Sequence, residues 1–122
     1  MDYARLEKEV LKPFLDGQNV VKYGHFDVKT GSIAKTIEFK NNGTLVVEGV
    51  GLFRPELMRY FGYKIWIDVP IDEAIARGKK RDREEYHRPS DALWDGIWKD
   101  NDLQYLEAYK PIEAADVVVT NI

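Results

Sequence analysis

Lys64-Ile65-Trp66-Ile67-Asp68-Val69-Pro70 is the stretch that decides the fold. It is a short, mainly apolar run closed by a proline, the pattern of a strand covered on both faces of a sheet. Two other stretches read alike: Thr44-Leu45-Val46-Val47, ending in Glu48-Gly49, and Asp116-Val117-Val118-Val119-Thr120. Between the first two, Pro55 suits the first turn of a helix and Gly62 stands just past its end. Asp72 and Glu73 start a second helix, strongly basic from Arg77 to Arg83. Ser90 is placed to cap a third, on which Trp94, Ile97, Trp98, Tyr105, Ala108 and Tyr109 form one broad stripe. Strand, helix, strand, two helices, strand predicts an α/β fold: a parallel sheet with flanking helices.

Upstream the grammar differs. Leu6, Val10, Leu11, Phe14 and Leu15 recur at helical spacing, with Pro13 placed to bend the helix and Gly17 to stop it. Val20 to Val28 and Thr36 to Lys40 are rich in β-branched and aromatic residues and flank Thr30, Gly31 and Ser32. That predicts a β-hairpin over about residues 19–40, followed by a sharp turn at Asn42-Gly43.

The 122 residues carry 18 Lys and Arg against 21 Asp and Glu, a net charge of −3, which excludes a generally basic nucleic-acid binder. At this length a single domain over 1–122 is expected. With 44% hydrophobic residues and no cysteine, the chain fits an ordinary folded domain of a reducing compartment, so a cytoplasmic location is expected. No run reaches the roughly 18 apolar residues of a membrane span, and Met1 to Glu9 is too charged for a signal peptide.

In open parallel sheets ligands sit beyond the carboxyl ends of the strands, so Glu48 and Asp68 are the first candidates. A strand-end carboxylate can hold a hydrated Mg²⁺; it can equally cap a helix or organise a turn. Arg77 and Arg81 lie one turn apart on one helix face with no acid at the matching spacing, so they are expected to repel each other unless an anion lies between them; a polyphosphate supplies that anion, although most charge runs are solvated faces. At the hairpin bend Phe26, Asp27 and Thr30 offer an aromatic face, a carboxylate and a hydroxyl to a small polar ring; core packing and turn chemistry account for them equally well. His25 and His87 lack ligand spacing, and Trp94 and Trp98 read as core or lid packing.

Val46-Val47-Glu48-Gly49-Val50, Arg54-Pro55-Glu56-Leu57, Ile65 to Pro70, Arg77 through Arg81-Asp82, the Trp94 and Trp98 segment and Ala115-Asp116-Val117-Val118 together resemble, in order and spacing, the uridine kinase family of P-loop nucleoside kinases. Phe26-Asp27-Val28-Lys29-Thr30 resembles that family's Tyr-Asp-Trp hairpin, which contacts the nucleoside, with Phe26 in the Tyr place and Val28 replacing the aromatic.

The resemblance implies transfer of the ATP γ-phosphoryl group to a nucleoside 5′-hydroxyl. Glu48 would stand near Mg²⁺ and its waters, Arg77 and Arg81 would neutralise the phosphate from a lid at about 77–90, and Phe26, Asp27 and Thr30 would shape the acceptor pocket. No Gly-x-x-x-x-Gly-Lys-Ser/Thr occurs in the sequence, and the family's following acidic segment is missing too. The implied fold is an incomplete P-loop kinase lacking its first two strands. No tight binding of Mg²⁺ or ATP and no kinase activity are expected of these residues alone. Three readings stay open: an incomplete nucleoside kinase, a non-catalytic binding or assembly module, and part of a kinase for another hydroxyl acceptor such as pantothenate, phosphoribulose or nicotinamide riboside. The family places the P-loop strand between the strands ending at Glu48 and Val69. Their unpaired edges are therefore expected to recruit a second copy of the chain, while no nucleic-acid or membrane partner is expected.

Overall fold

The computed structural model describes residues Met1 to Asn121. The chain divides into two compact units, Met1–Tyr60 and Phe61–Ile122.

The first unit begins with three helical segments in direct succession: α-helical Tyr3–Leu6, π-helical Glu7–Leu11 and α-helical Lys12–Leu15, together called α1. Asp2 caps it, its Oδ1 accepting the Arg5 N–H at 3.0 Å. The wide middle turn has a local cause in Pro13, which has no N–H and crowds the carbonyl four residues back. The Lys12 N–H reaches five residues back to the Glu7 carbonyl instead. Gly17 ends the helix at φ +76, a region open to glycine at little cost; its N–H bonds the Phe14 carbonyl and that of Gln18 bonds Pro13.

Strands β1 (Val20–Asp27) and β2 (Ser32–Lys40) pair antiparallel from Val20↔Lys40 to Asp27↔Ser32, with a register shift between His25 and Phe26. The expected hairpin is present, its second strand starting earlier than the β-branched pattern indicated. Helix α1 holds β1 through the backbone of Gly24: its N–H donates to Glu9 Oε2 at 3.0 Å and its carbonyl accepts from Arg5 at 3.1 Å. Asn41 and Asn42 accept the N–H groups of Gly43 and Thr44, forming the expected turn.

The strand expected at Thr44–Val47 does not form. These residues have no ladder partner among the described residues, and Val46 is 86% exposed. An apolar run becomes a strand only when a neighbour satisfies its N–H and C=O groups. The next helix, α2 (Pro55–Met58), is a single turn that stops well short of Gly62. Leu11, Val21, Leu52 and Leu57 are this unit's buried aliphatic side chains. Glu7 accepts the Tyr60 hydroxyl and, at 2.6 Å, an Arg59 N–H.

In the second unit β3 (Ile65–Asp68) pairs in parallel with β4 (Val117–Thr120). Among the described residues this parallel sheet has two strands, where three are expected. The ladder starts at Asp116, whose Oδ2 accepts the Lys64 N–H at 2.7 Å while its own N–H donates to the Lys64 carbonyl at 2.8 Å. One face carries Ile65, Ile67, Val117 and Val119, 38–57% exposed. On the other, Trp66 meets Tyr105 with ring centroids 6.5 Å apart.

The crossover between these strands holds α3 (Ile71–Glu84), α4 (Asp91–Asp95), α5 (Ile97–Tyr109) and α6 (Pro111–Ala114). The single helix expected after Ser90 is broken at Gly96, whose φ −111 and ψ −112 lie outside the helical region. The stripe divides with it. Trp94 and Trp98 meet edge to face at 5.0 Å, whereas Tyr105 and Tyr109 pair at 5.4 Å near Trp66. Ser90 occupies the N-cap position without capping; its hydroxyl bonds the Arg88 carbonyl at 3.3 Å. Among the described residues no helix is long and apolar enough to cross a membrane.

Leu57 is fully buried. Leu57→Ala is expected to lower stability by ~2–5 kcal/mol, read in urea denaturation as a lower midpoint with an unchanged slope. A midpoint like the parent's would mean that this side chain is not part of the core. Acid sensitivity is a second expectation. The Tyr60 hydroxyl, then Arg59, hold the Glu7 carboxyl below its ordinary value, and the Lys64 backbone N–H does the same for Asp116. With folded values depressed, this stabilisation is present above the ordinary carboxylate range and is lost as pH falls through the depressed values. Asp116→Asn should therefore destabilise the chain at neutral pH and flatten its loss of stability below about pH 4. Urea midpoints at stepped pH measure both, and parallel curves for variant and parent would contradict this role of Asp116.

Candidate functional site

The hairpin gathers Phe26, Asp27 and Thr30 at one end, and the local bonds there are those of a turn. Asp27 Oδ1 accepts the Lys29 N–H at 2.8 Å, its carbonyl accepts from Gly31 at 2.8 Å, and the Thr30 and Ser32 hydroxyls meet at 2.9 Å. Two polar candidates thus shape the loop that presents the third. Phe26 is 51% exposed, and an exposed aromatic ring is a surface of the kind that stacks on a planar ring.

Glu48 is exposed, and its side chain has no hydrogen-bond or ion-pair partner among the described residues. Nor do three or more His, Cys, Asp or Glu side chains gather to hold a metal ion among them. A lone carboxylate and a sequence without the Gly-rich phosphate loop do not fit Mg²⁺ or the phosphates of ATP on their own. Asp68 lies at the end of β3, 3.4 Å from the Trp66 indole nitrogen.

The basic run on α3 is not bare. Arg77 donates from Nε to Glu73 Oε1 at 2.7 Å, so the acid at matching spacing, four residues earlier, does exist. This corrects the premise that an anion is required between Arg77 and Arg81. Lys79 pairs with Asp95, and Arg83 donates to Asp91 at 3.1 Å, attaching α4 to α3. Residues 77–90, expected as a lid, comprise the end of α3 and the turn into α4.

Arg81 has the most elaborate surroundings. Its Nε and one terminal nitrogen donate to Asp82 Oδ1 at 3.3 and 3.0 Å. The guanidinium lies 5.1 Å from the Tyr86 ring centroid and 6.0 Å from that of Trp94. Asp82, only 6% exposed, accepts the Trp94 indole N–H on its other oxygen at 2.8 Å. That indole bond, then Arg81, keep the Asp82 carboxyl below its ordinary range against the opposing effect of burial. Asp82 and Trp94 stand twelve positions apart, and no local pattern links them. The Glu73–Arg77 pair, by contrast, was legible from i, i+4 spacing.

These groups can neutralise an anion or stack on a ring. No family model matches the chain. A uridine kinase of Proteus mirabilis (strain HI4320) is 26% identical over 122 residues, which are 98% of this chain and 56% of that protein. Among solved structures, a possible uridine kinase from Bacillus stearothermophilus superimposes with a TM-score of 0.63 at 23% identity, covering 97% of this chain and 54% of that one. The chain spans just over half the length of these relatives. Along nearly its whole length, then, it resembles the later part of the uridine kinase family.

Proposed function

We propose that these residues supply the acceptor-binding hairpin and the anion-neutralising arginines of a uridine kinase-like phosphotransferase, which moves the γ-phosphoryl group of ATP to the 5′-hydroxyl of a pyrimidine nucleoside. The observation that carries this reading is similarity to a uridine kinase over 98% of the chain. The half-exposed Phe26 adds to it as a ring surface for a base, on a loop shaped by Asp27 and Thr30. Arg77 and Arg81 would meet the negative charge of the transferring group with the donors their carboxylate partners leave free, a stationary electrostatic contribution of the kind phosphoryl transfer needs. Glu48 is given no step, because no second ligand accompanies it.

Without a phosphate-binding loop the 122 residues alone should not hold Mg·ATP with kinase affinity. Calorimetric titration at moderate salt is expected to show no saturable micromolar binding; such binding, surviving in the Arg77→Ala and Arg81→Ala variants, would contradict the assignment. Joining the chain to the part of the Proteus mirabilis uridine kinase that it does not span tests the catalytic reading. Transfer from ATP to uridine is expected of the joined protein. A folded but inactive product would favour a non-catalytic module. In the active form Phe26→Ala should weaken uridine binding by about 1–3 kcal/mol, the scale of base-on-aromatic stacking, and leave ATP binding unchanged. Equal losses for both substrates would make Phe26 merely structural.

A further inference from the structure

Arg81 is held from three sides, and the parts that hold it come from different turns of the chain. Asp82 takes two of its five N–H donors, and the rings of Tyr86 and Trp94 stand within cation–π range. Three donors stay available on a side chain that is 47% exposed. Asp82 is itself fixed, because the Trp94 indole N–H occupies its second oxygen at 2.8 Å. Trp94 in turn lies against Gly78 on α3, where a Cβ would collide with the six-membered ring of the indole.

We infer that Asp82 and Trp94 are positioning residues that form a latch, holding the Arg81 guanidinium in place to receive a polyphosphate. The inference rests on the reading of Arg81 as an anion-binding residue and goes beyond it by naming what orients that residue. A free arginine loses much rotamer freedom when it grips an anion; one already ordered by the fold has less to lose. Gly78 belongs to the device: a glycine inside a helix weakens it, and here it gives the indole its seat. The carboxylate of Asp82 also opposes anion binding by its charge, so removing it would mix two effects of opposite sign. The informative variants leave every charge in place.

Trp94→Phe keeps an aromatic ring but removes the indole N–H and shrinks the ring system; Gly78→Ala favours the helix and displaces the indole. The 122-residue chain is titrated with inorganic tripolyphosphate at low ionic strength, following the Nε–H signals of Arg81 and Arg77 by NMR. In both variants the tripolyphosphate Kd is expected to rise about three- to tenfold, within the range that restored rotamer freedom allows. Arg81 Nε–H should exchange faster with water, while Arg77, paired with Glu73 on α3, should keep its parent rate. Arg81→Ala is the reference for anion binding. If it weakens binding and both latch variants bind like the parent, the latch is overturned and the reading of Arg81 stands. If Arg81→Ala changes nothing, both fail. Equal acceleration of the Arg77 and Arg81 signals would mean that the variants loosen α3 as a whole, which also overturns the latch.

Discussion

The parallel pairing of Ile65–Asp68 with Val117–Thr120 is the constraint on which the second unit depends. Parallel neighbours cannot be joined by a tight turn, so the chain must leave the end of one strand and return to the start of the other through a long crossover. Residues 69 to 116 are that crossover, and they carry every helix of the unit. Asp116 sets the register by closing two bonds with the Lys64 backbone at the point where the ladder begins. With both ends anchored, α3 and α4 are brought together and the Arg81, Asp82 and Trp94 side chains can meet.

The first unit solves a different problem, that of tying a hairpin to a helix without a large core. Its buried aliphatic residues are few, and polar bonds supplement them. Gly24 exposes both backbone groups of β1 to Arg5 and Glu9 of α1, so the middle of the strand is fixed while its distal turn projects Phe26. Asn41 does the same at the other end of the hairpin, donating to the Phe14 carbonyl at 3.0 Å. The hairpin is thus a stem tied to α1 at its middle, with Phe26 exposed near its far end.

Four of the five cations between Arg77 and Arg83 on α3 are paired, Lys80 being the exception among the described residues. Each of Arg77, Lys79, Arg81 and Arg83 has a carboxylate partner, two of them drawn from α4. Exposed pairs of this kind contribute little to stability individually. Their effect is geometric: they convert a run of mutually repelling side chains into a set of oriented ones, with Arg81 held by the most partners.

Local signals were enough for the hairpin, the stop of α1, the Asn42-Gly43 turn and the two strands that pair, because alternation, caps and turn residues act over a few positions. The i, i+4 spacing of Glu73 and Arg77 is equally local, yet the reading of the basic run as lacking an acid passes over it. Local pattern fails at Thr44–Val47, where an apolar run looks like a strand but finds no ladder partner among the described residues, and at Gly96, where a continuous aromatic stripe hides a break in the backbone. Residue types alone placed Phe26, Asp27 and Thr30 at one bend, yet not the division of labour that ties Asp27 and Thr30 into the turn and leaves the ring of Phe26 exposed. Only tertiary structure brings Asp82 to Trp94, because the chain must turn between α3 and α4 before an indole N–H can meet a carboxylate twelve residues away. Periodicity determines which way a residue faces along its own element; which distant group it faces is decided when the elements pack.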